Sequence, residues 1–376
     1  MSETDQRQEA LEYLETSEPG SRVVTPGFDR RAFLRRTALT GAAAGSVGAI
    51  LSACGSSASS GGNSSEVFGS HPNYKFVFVN HVTTNPFFVP TQYGIQDACK
   101  LLGCSYQWTG SESSNVPQMV TAMNTAITSG ADGIAVALID LHAFNAPTEE
   151  ALKKGIPVVS YNADAPLNKR LSYIGQELKL AGELMGARIV KDVGSGDVAL
   201  FIETPGSANL QPRIEGAEKA IRASGAAITI HTVATGTSGE ETVINSYWVG
   251  HETTKGMYAV GGGSTEALAK VMQKHGLPSK GVKAGGFDLT EGTQKLIKEG
   301  FLEFTIDQQP YQQGFLPVLQ LFFWHVSGSL SGPASTDTGL KFVTKETVGP
   351  YVSSKSRYEG TSTEAKVIPI PAGTAA

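Results

Sequence analysis

The 376-residue sequence is poor in cysteine, in excess basic charge and in long apolar runs. Three cysteines are too few for a framework of several disulfides. The 30 basic residues are outnumbered by 35 acidic ones, which argues against a surface for nucleic acid. The apolar run at 38–51 is shorter than the roughly 20 residues of a membrane-spanning helix. The composition therefore predicts a soluble fold without a nucleic-acid partner.

Motifs of catalytic and metal sites are also lacking. The sequence has no Gly-x-Ser-x-Gly nucleophile elbow, and HETTK (251–255) lacks the second histidine of a zinc-protease helix. The glycine run GGGSTEALAK (261–270) resembles a phosphate cradle at a helix N-terminus but lacks the lysine of a nucleotide loop. We therefore expect a binding protein with no cofactor and no metal, and not an enzyme.

The first 53 residues have the features of an export signal. A twin-arginine pair at 30–31 precedes the short apolar run 38–51. The sequence Leu-Ser-Ala-Cys that ends at Cys54 is typical of a lipobox, in which the cysteine is lipidated. We expect 1–53 to be a lipoprotein signal peptide. The lipid on Cys54 would anchor the protein to the outer face of the cell membrane, and 54–73 would form a flexible tether. A generic secretory signal that happens to contain a cysteine is the alternative.

Two further cysteines, Cys99 and Cys104, lie close together in DACKLLGCSY. The pattern places Cys99 in the last turn of a helix, Gly103 at its C-cap and Cys104 at the start of the next strand. Outside the cytoplasm such a pair can form a disulfide that pins the helix to the strand. A bridge is one interpretation, and two unpaired thiols are the other.

Short apolar strands alternate with amphipathic helices from residue 74 onward. Clear examples are the strands 75–81, 105–110, 132–139, 156–164 and 304–310 and the helices 88–103 and 116–130. This alternation predicts parallel sheets that are covered on both faces. The strands are too many for one open sheet, so we expect an α/β fold of two doubly wound lobes.

Ligands of open parallel sheets bind beyond the carboxyl ends of the strands. The residues that follow the predicted strands are mainly amides, carboxylates, one arginine and aromatic rings, which suit a ligand with many hydroxyls. The candidate ligand-binding residues are Asn85, Phe87, Phe88, Asn162, Asn209, Arg213, Ser264, Asp288 and Gln308.

Several of these candidates also have a purely structural interpretation, and Phe87 and Phe88 can both be core residues. Asn85 precedes a proline and can serve a turn. Arg213 lies early in a predicted helix, where it can pair with a glutamate of the same helix at the surface. Asp288 can cap the helix that begins near Thr290. The sequence alone leaves both interpretations of each residue open.

Five segments in a fixed order resemble the type I periplasmic sugar-binding proteins, the ribose-type substrate-binding components of ABC importers. They are NPFF (85–88), IPVVSYNAD (156–164), QPRIEGAEKAI (211–221), GGFDLT (285–290) and FTIDQQPYQQGFLP (304–317). The resemblance extends from Lys75 to Lys345, which is most of the chain after the predicted signal.

The resemblance implies two lobes joined by a hinge of three chain crossovers. The first lobe would comprise 74–174 and 309–336, and the second 175–308 and 337–376. A ligand would lie in the cleft between them, and closure of the hinge would present both lobes to an ABC permease. The implied function is extracytoplasmic capture of a small neutral sugar or polyol by a monomer, for import. A lipid-anchored sensor of sugars or furanosyl signals that is not coupled to import is the alternative.

The family's ligand contacts carry over to several candidates. Asn85 would bond to sugar hydroxyls from the first lobe, and Arg213 and Asp288 would do so from the second. The chain also departs from the family pattern. Asn162 stands where the ribose-type proteins have an aspartate, and Ala163 stands where they have an arginine. We therefore expect a site with less charge than that of the ribose-type proteins.

Overall fold

Strands and helices alternate along the part of the chain that the computed structural model describes, residues 68–329, 332–354 and 357. The strands are β1 (Lys75–Asn80), β2 (Ser105–Gly110), β3 (Gly133–Val136), β4 (Val158–Tyr161), β5 (Tyr173–Gly175), β6 (Gly196–Ile202), β7 (Ile228–Ala234), β8 (Gly256–Ala259), β9 (Lys283–Phe287), β10 (Phe304–Asp307), β11 (Ser335–Asp337) and β12 (Lys341–Val343). The α-helices are α1 (Val89–Leu102), α2 (Val116–Thr128), α3 (Asn145–Lys153), α4 (Leu178–Val193), α5 (Gln211–Ala223), α6 (Glu240–Gly250), α7 (Gly262–Lys274), α8 (Glu291–Glu299), α9 (Pro310–Val326) and α10 (Gly349–Ser354).

The strands form two six-stranded sheets, each the centre of one lobe. The order is β11-β5-β4-β3-β1-β2 in the first sheet and β12-β10-β9-β8-β6-β7 in the second. Neighbouring strands run parallel except β10 and β12, which are antiparallel. The chain passes between the sheets after β5, after β10 and after β11. The predicted α/β fold of two doubly wound lobes with three crossovers is confirmed.

Each sheet is buried on both faces, because alternate side chains of a strand point to opposite sides. In β6, Ala199 and Phe201 pack on the side of α6 and α7, whereas Leu200 and Ile202 pack on the side of α4 and α5. The apolar residues of β1 are likewise almost fully buried in the first lobe. Burial on both faces explains why these strands are apolar at nearly every position.

Helix α9 begins at the second crossover and packs against α1 in the first lobe. Gly94 of α1 faces the carbonyl oxygen of Tyr311, and Gly314 of α9 faces that of Thr91. A Cβ atom at either glycine would overlap with the facing backbone. The two glycines therefore permit a close approach of the helices, which fixes the crossover to the lobe.

Cys99 and Cys104 are both free thiols, so of the two interpretations the structure has the unpaired thiols and not the bridge. The Cys104 N–H donates to the carbonyl oxygen of Cys99 at 2.9 Å, with Gly103 as the left-handed C-cap of α1. This backbone bond already joins the helix end to β2. The Cys104 thiol lies 3.5 Å from the Leu102 carbonyl oxygen. Burial raises the pKa of both thiols to about 12, which keeps them protonated at neutral pH.

Several predicted features lie outside the described residues. These are the signal peptide 1–53, the lipidation site Cys54 and most of the tether 54–73. Within the part that is described, no helix combines the length and the apolar composition that crossing a membrane requires. The same residues contain no group of three or more His, Cys, Asp or Glu side chains placed to hold a metal ion.

We expect Gly314→Ala to lower the free energy of unfolding by about 1–3 kcal/mol, because the added methyl group has no space between the two helix backbones. Gly250→Ala is the matched control, since Gly250 ends α6 with no atom within 4 Å of its Cβ position. That change should leave stability constant or raise it slightly. Urea unfolding measures both variants. Equal stability of the two would contradict the close approach of α1 and α9.

Candidate functional site

The carboxyl ends of strands from both sheets face a common cavity. Residues at or just beyond the ends of β1 and β4 in the first sheet, and of β6, β8, β9 and β10 in the second, lie in its wall. The space between the lining atoms, which includes some open solvent, is about 610 Å³. The lining residues are His81, Val82, Asn85, Phe87, Phe88, Ser114, Asn162, Glu203, Thr204, Asn209, Leu210, Arg213, Thr237, Glu240, Gly261, Gly262, Gly263, Asp288 and Gln308.

The cavity brings together eight of the nine candidate residues, and Ser264 is the exception. Ser264 is fully buried behind the wall. Its hydroxyl bonds to that of Thr235 at 2.8 Å, and its N–H donates to Oε1 of Glu203 at 3.0 Å. The side chain therefore points into the second lobe, because Ser264 belongs to the first turn of α7 and only the glycines before it face the cavity.

Asn85 has the structural role in a turn and also lines the cavity, so its contact with a ligand stays a prediction. Its Oδ1 accepts from the N–H of Phe87 at 2.9 Å and caps the 3-10 turn Pro86–Phe88, while the residue also lines the cavity. The turn brings Phe87 and Phe88 into the same wall, with their rings edge to face at 4.7 Å. One short motif thus supplies an amide group and an aromatic surface to the site.

Arg213 is buried in the wall of the second lobe and is 2% exposed. Its Nη1 donates to the carbonyl oxygen of Val260 at 2.8 Å, and its Nη2 donates to Oε1 of Gln176 at 3.0 Å. The guanidinium lies 4.1 Å from the centre of the Phe287 ring. The alternative of a surface pair with a glutamate of α5 is therefore wrong. Burial lowers the pKa of Arg213, and the charge of Asp288 opposes that shift.

Asp288 lies directly after β9 with a left-handed backbone, φ 75°, and is 4% exposed. Its Oδ1 accepts from Nε2 of Gln308 at 2.7 Å. It does not cap α8, because Thr290 holds that position and bonds to the N–H of Thr293. Burial raises the pKa of Asp288 to about 6, although the charge of Arg213 lowers it. The hydrogen bond from Gln308 and the nearby charge of Arg213 thus both favour the ionised form of this buried carboxyl group.

Three charged or titratable lining residues were missed by the sequence reasoning: His81, Glu203 and Glu240. His81 and Glu203 each follow a strand directly, so the rule that found Asp288 would have found them. Nε2 of His81 lies 3.3 Å from Nδ2 of Asn209 in the other lobe. Burial lowers the pKa of His81 to about 4, so the ring is neutral at pH 7. Because the Asn209 amide is a donor, Nε2 accepts and Nδ1 carries the proton.

The wall contains more charged groups than Arg213 and Asp288, the two that the sequence reasoning named. Glu203, Glu240 and Asp288 place three carboxyl groups in the wall, against the single guanidinium of Arg213 among the described lining residues. Desolvation also raises the pKa of Glu203, while its bond from the N–H of Ser264 lowers it. The acids all come from the second lobe, where the sequence reasoning considered only Asp288.

Amide side chains join the lining residues to the three crossovers. Gln313 of α9 accepts from Nδ2 of Asn162 at 3.1 Å and donates to the backbone oxygen of Gln308 at 3.1 Å. Thr338, at the third crossover, donates to the same oxygen at 2.7 Å. Gln176, at the first crossover, donates to the carbonyl oxygen of the residue after Thr338 at 3.2 Å. The three connecting segments are thus bonded to one another and to the cavity wall.

The fold and the interlobe cavity are those of the proteins that bind solutes outside the cytoplasm. The family model of the periplasmic binding protein domain matches residues 76–322, so the chain belongs to the periplasmic binding protein family. This membership confirms the expected family at that level. It also confirms the expectation of a binding protein rather than an enzyme.

The chain is similar to several named proteins, with sequence identities that range from 23% to 51%. Xylose/arabinose-binding protein XylF of Sulfolobus acidocaldarius is 51% identical over 313 residues, which cover 79% of this chain and 77% of the relative. Ribose import binding protein RbsB of Bacillus subtilis is 23% identical over 227 residues, 60% of this chain and 73% of the relative. The solved structure of an ABC transporter solute-binding protein from Burkholderia graminis in complex with D-arabinose has a TM-score of 0.69 at 25% identity, covering 74% of this chain and 98% of that chain.

The raised pKa of Asp288 predicts a pH-dependent stability. The folded protein binds this proton more tightly than the unfolded chain, so the group's stabilising contribution is present below about pH 4 and is lost as the pH rises through about 6. The shift from 3.8 to about 6 corresponds to about 3 kcal/mol. Asp288→Asn should remove this loss, and its stability relative to the wild type should rise between about pH 4 and pH 7. Urea unfolding without ligand measures the difference, and a constant difference would contradict the buried carboxyl.

Proposed function

We propose that the chain is an extracytoplasmic binding protein that holds a small neutral sugar in the cavity between its lobes for delivery to an ABC permease. The observation that carries the proposal is the wall of the cavity, where amides from both lobes and the carboxyls and guanidinium of the second lobe converge beside Phe87 and Phe88. Sugar hydroxyls both donate and accept, so they can satisfy such groups. The aromatic rings can cover the apolar face of a sugar ring.

Unsatisfied polar atoms in the wall indicate what a ligand would supply. In the described part of the chain, four lining residues have a buried polar atom without a hydrogen-bond partner: Nδ1 of His81, Oδ1 of Asn162, Oε2 of Glu203 and Nε of Arg213. A buried group of this kind costs about 1–3 kcal/mol. Two are donors and two are acceptors, which suits a ligand with several hydroxyls. The atoms come from both lobes, so a ligand that bonds to all of them stabilises the closed arrangement.

The relatives support a pentose as the ligand. The 51% identical relative is named as a xylose/arabinose-binding protein, and the solved structure at 25% identity contains D-arabinose. The ribose import binding protein is more distant, at 23% identity. We therefore place xylose and arabinose before ribose as ligands of this chain.

The sequence supports export and membrane anchoring of the binding protein. The twin-arginine pair at 30–31 and the lipobox at Cys54 would direct the chain across the membrane and anchor it there by a lipid. The lobes would divide at residues 174, 308 and 336, close to the three crossovers. In this arrangement a monomer presents both lobes to the permease when the hinge closes.

The sugar proposal is tested by thermal unfolding with D-xylose, L-arabinose, D-arabinose and D-ribose. A ligand that binds only the folded protein must raise the unfolding temperature, by an amount that grows with its concentration above Kd. We expect at least one pentose to do so and amino acids not to. Stabilisation by amino acids without any effect of sugars would overturn the proposal.

Asn85→Asp isolates one ligand contact. An aspartate keeps the oxygen that accepts from the Phe87 N–H but removes the amide donor, so the affinity for the pentose should fall about tenfold, with little change in unliganded stability. Asn115→Asp is the matched control, because Asn115 caps α2 in the same way and lies outside the cavity wall. Equal affinities of the two variants would show that Asn85 serves the turn alone.

A further inference from the structure

The wall of the second lobe includes the turn Gly261–Gly263 at the N-terminus of α7. A helix N-terminus offers free backbone N–H groups and the positive end of the helix dipole, which favour anions. The buried guanidinium of Arg213 lies in the same wall. Taken alone, these two features would make the cavity a site for an anionic ligand.

Three carboxyl groups of the chain already lie at that position: Asp288, whose Oδ2 would lie 2.9 Å from a Cβ atom at Gly262, and the pair Glu203 and Glu240. The N–H of Ser264 donates to Oε1 of Glu203 at 3.0 Å. A Cβ atom at Gly261 would lie 2.5 Å from both carboxylate oxygens of Glu203, and a Cβ atom at Gly263 would lie 2.9 Å from Oε1 of Glu240. The glycines therefore leave room for the three carboxyl groups, whose negative charge compensates the positive end of the helix.

One carboxylate oxygen of Glu203 still lacks a hydrogen-bond partner within the part of the chain that the structure describes. Oε2 of Glu203 is buried and has no hydrogen-bond partner among the described residues. A ligand hydroxyl can donate to this oxygen and satisfy it. A ligand carboxylate or phosphate would instead bring a further negative charge to a wall that already contains Glu203, Glu240 and Asp288, and like charges at a binding interface repel.

We propose that Glu203 and Glu240 restrict the cavity to uncharged sugars. Glu203 accepts a hydrogen bond from a ligand hydroxyl, and the two carboxylates together exclude sugar acids and sugar phosphates. The inference rests on the proposed function, because it assigns the class of sugar that the same cavity accepts. It also gives the glycine run at 261–263 a role, which is to bring the helix N-terminus and the carboxylates together.

Titrations of the protein with three sugars at pH 7 measure the Kd of each and separate the effect of ligand charge from that of ligand size. D-Xylose is the reference, D-glucose adds a CH2OH group to the same ring, and D-glucuronate carries a carboxylate at that position. If L-arabinose binds more tightly, the corresponding series is L-arabinose, D-galactose and D-galacturonate. We expect the Kd ratio of the acid to the pentose to fall about tenfold or more in Glu203→Gln and in Glu240→Gln.

Glu252→Gln is the matched charge control, because Glu252 is exposed and lies outside the cavity wall. The Kd ratio of the acid to the pentose in Glu252→Gln should equal that of the wild type. Glu203→Gln keeps an oxygen for the N–H of Ser264, so the unliganded variant should melt close to the wild type. Glu240→Gln provides the same test at a partly exposed position.

A ratio that stays at the wild-type value in both cavity variants overturns the inference and leaves the proposed function standing. An equal gain for the neutral hexose and the acid also overturns it, since it would show a change in size selection. Failure of every neutral sugar to bind the wild type overturns the proposed function itself, and this inference falls with it. Each outcome is therefore assigned to one of the two proposals.

Discussion

The site depends on the buried hydrogen bonds that hold the three crossovers together. Gln176, Gln308 and Gln313 are buried, and their amides donate to backbone oxygens of the connecting segments or to the carboxylate of Asp288. A buried amide without partners is costly, so these side chains specify how the connecting segments lie beside one another. The carboxyl edges of the two sheets face the same cavity as a result.

The electrostatics of the cavity follow from the same burial. Arg213 bonds to a backbone oxygen and to Gln176, while Asp288 bonds to Gln308, so each charge has neutral partners as well as the other charge nearby. The carboxylates of Glu203 and Glu240 meet the helix end at Gly261–Gly263. Among the described lining residues the carboxyl groups outnumber the guanidinium, which favours a ligand that brings hydroxyls and no negative charge.

Much of the fold could be predicted from the sequence, because buried parallel strands require apolar runs of a recognisable length. The segment 105–110 was predicted as a strand with the bounds that β2 has. The three-residue strands β5 and β11 were not predicted, since three residues carry no periodicity and pair only because the lobe brings them together. Asn85 and Asp288 were found as residues that follow strands, whereas Glu240 is the first residue of a helix and carried no such signal.

The sequence by itself determined the alternation of strands and helices, the two lobes and the polar residues at the strand ends, because local periodicity and chain order encode them. Only the tertiary structure decided which of those residues face the cavity. Ser264 and Glu203 are both polar and both near strand ends, yet one points into the lobe and the other lines the wall. The difference arises from helix phase, from the space left by Gly261 and from contacts between residues far apart in the chain.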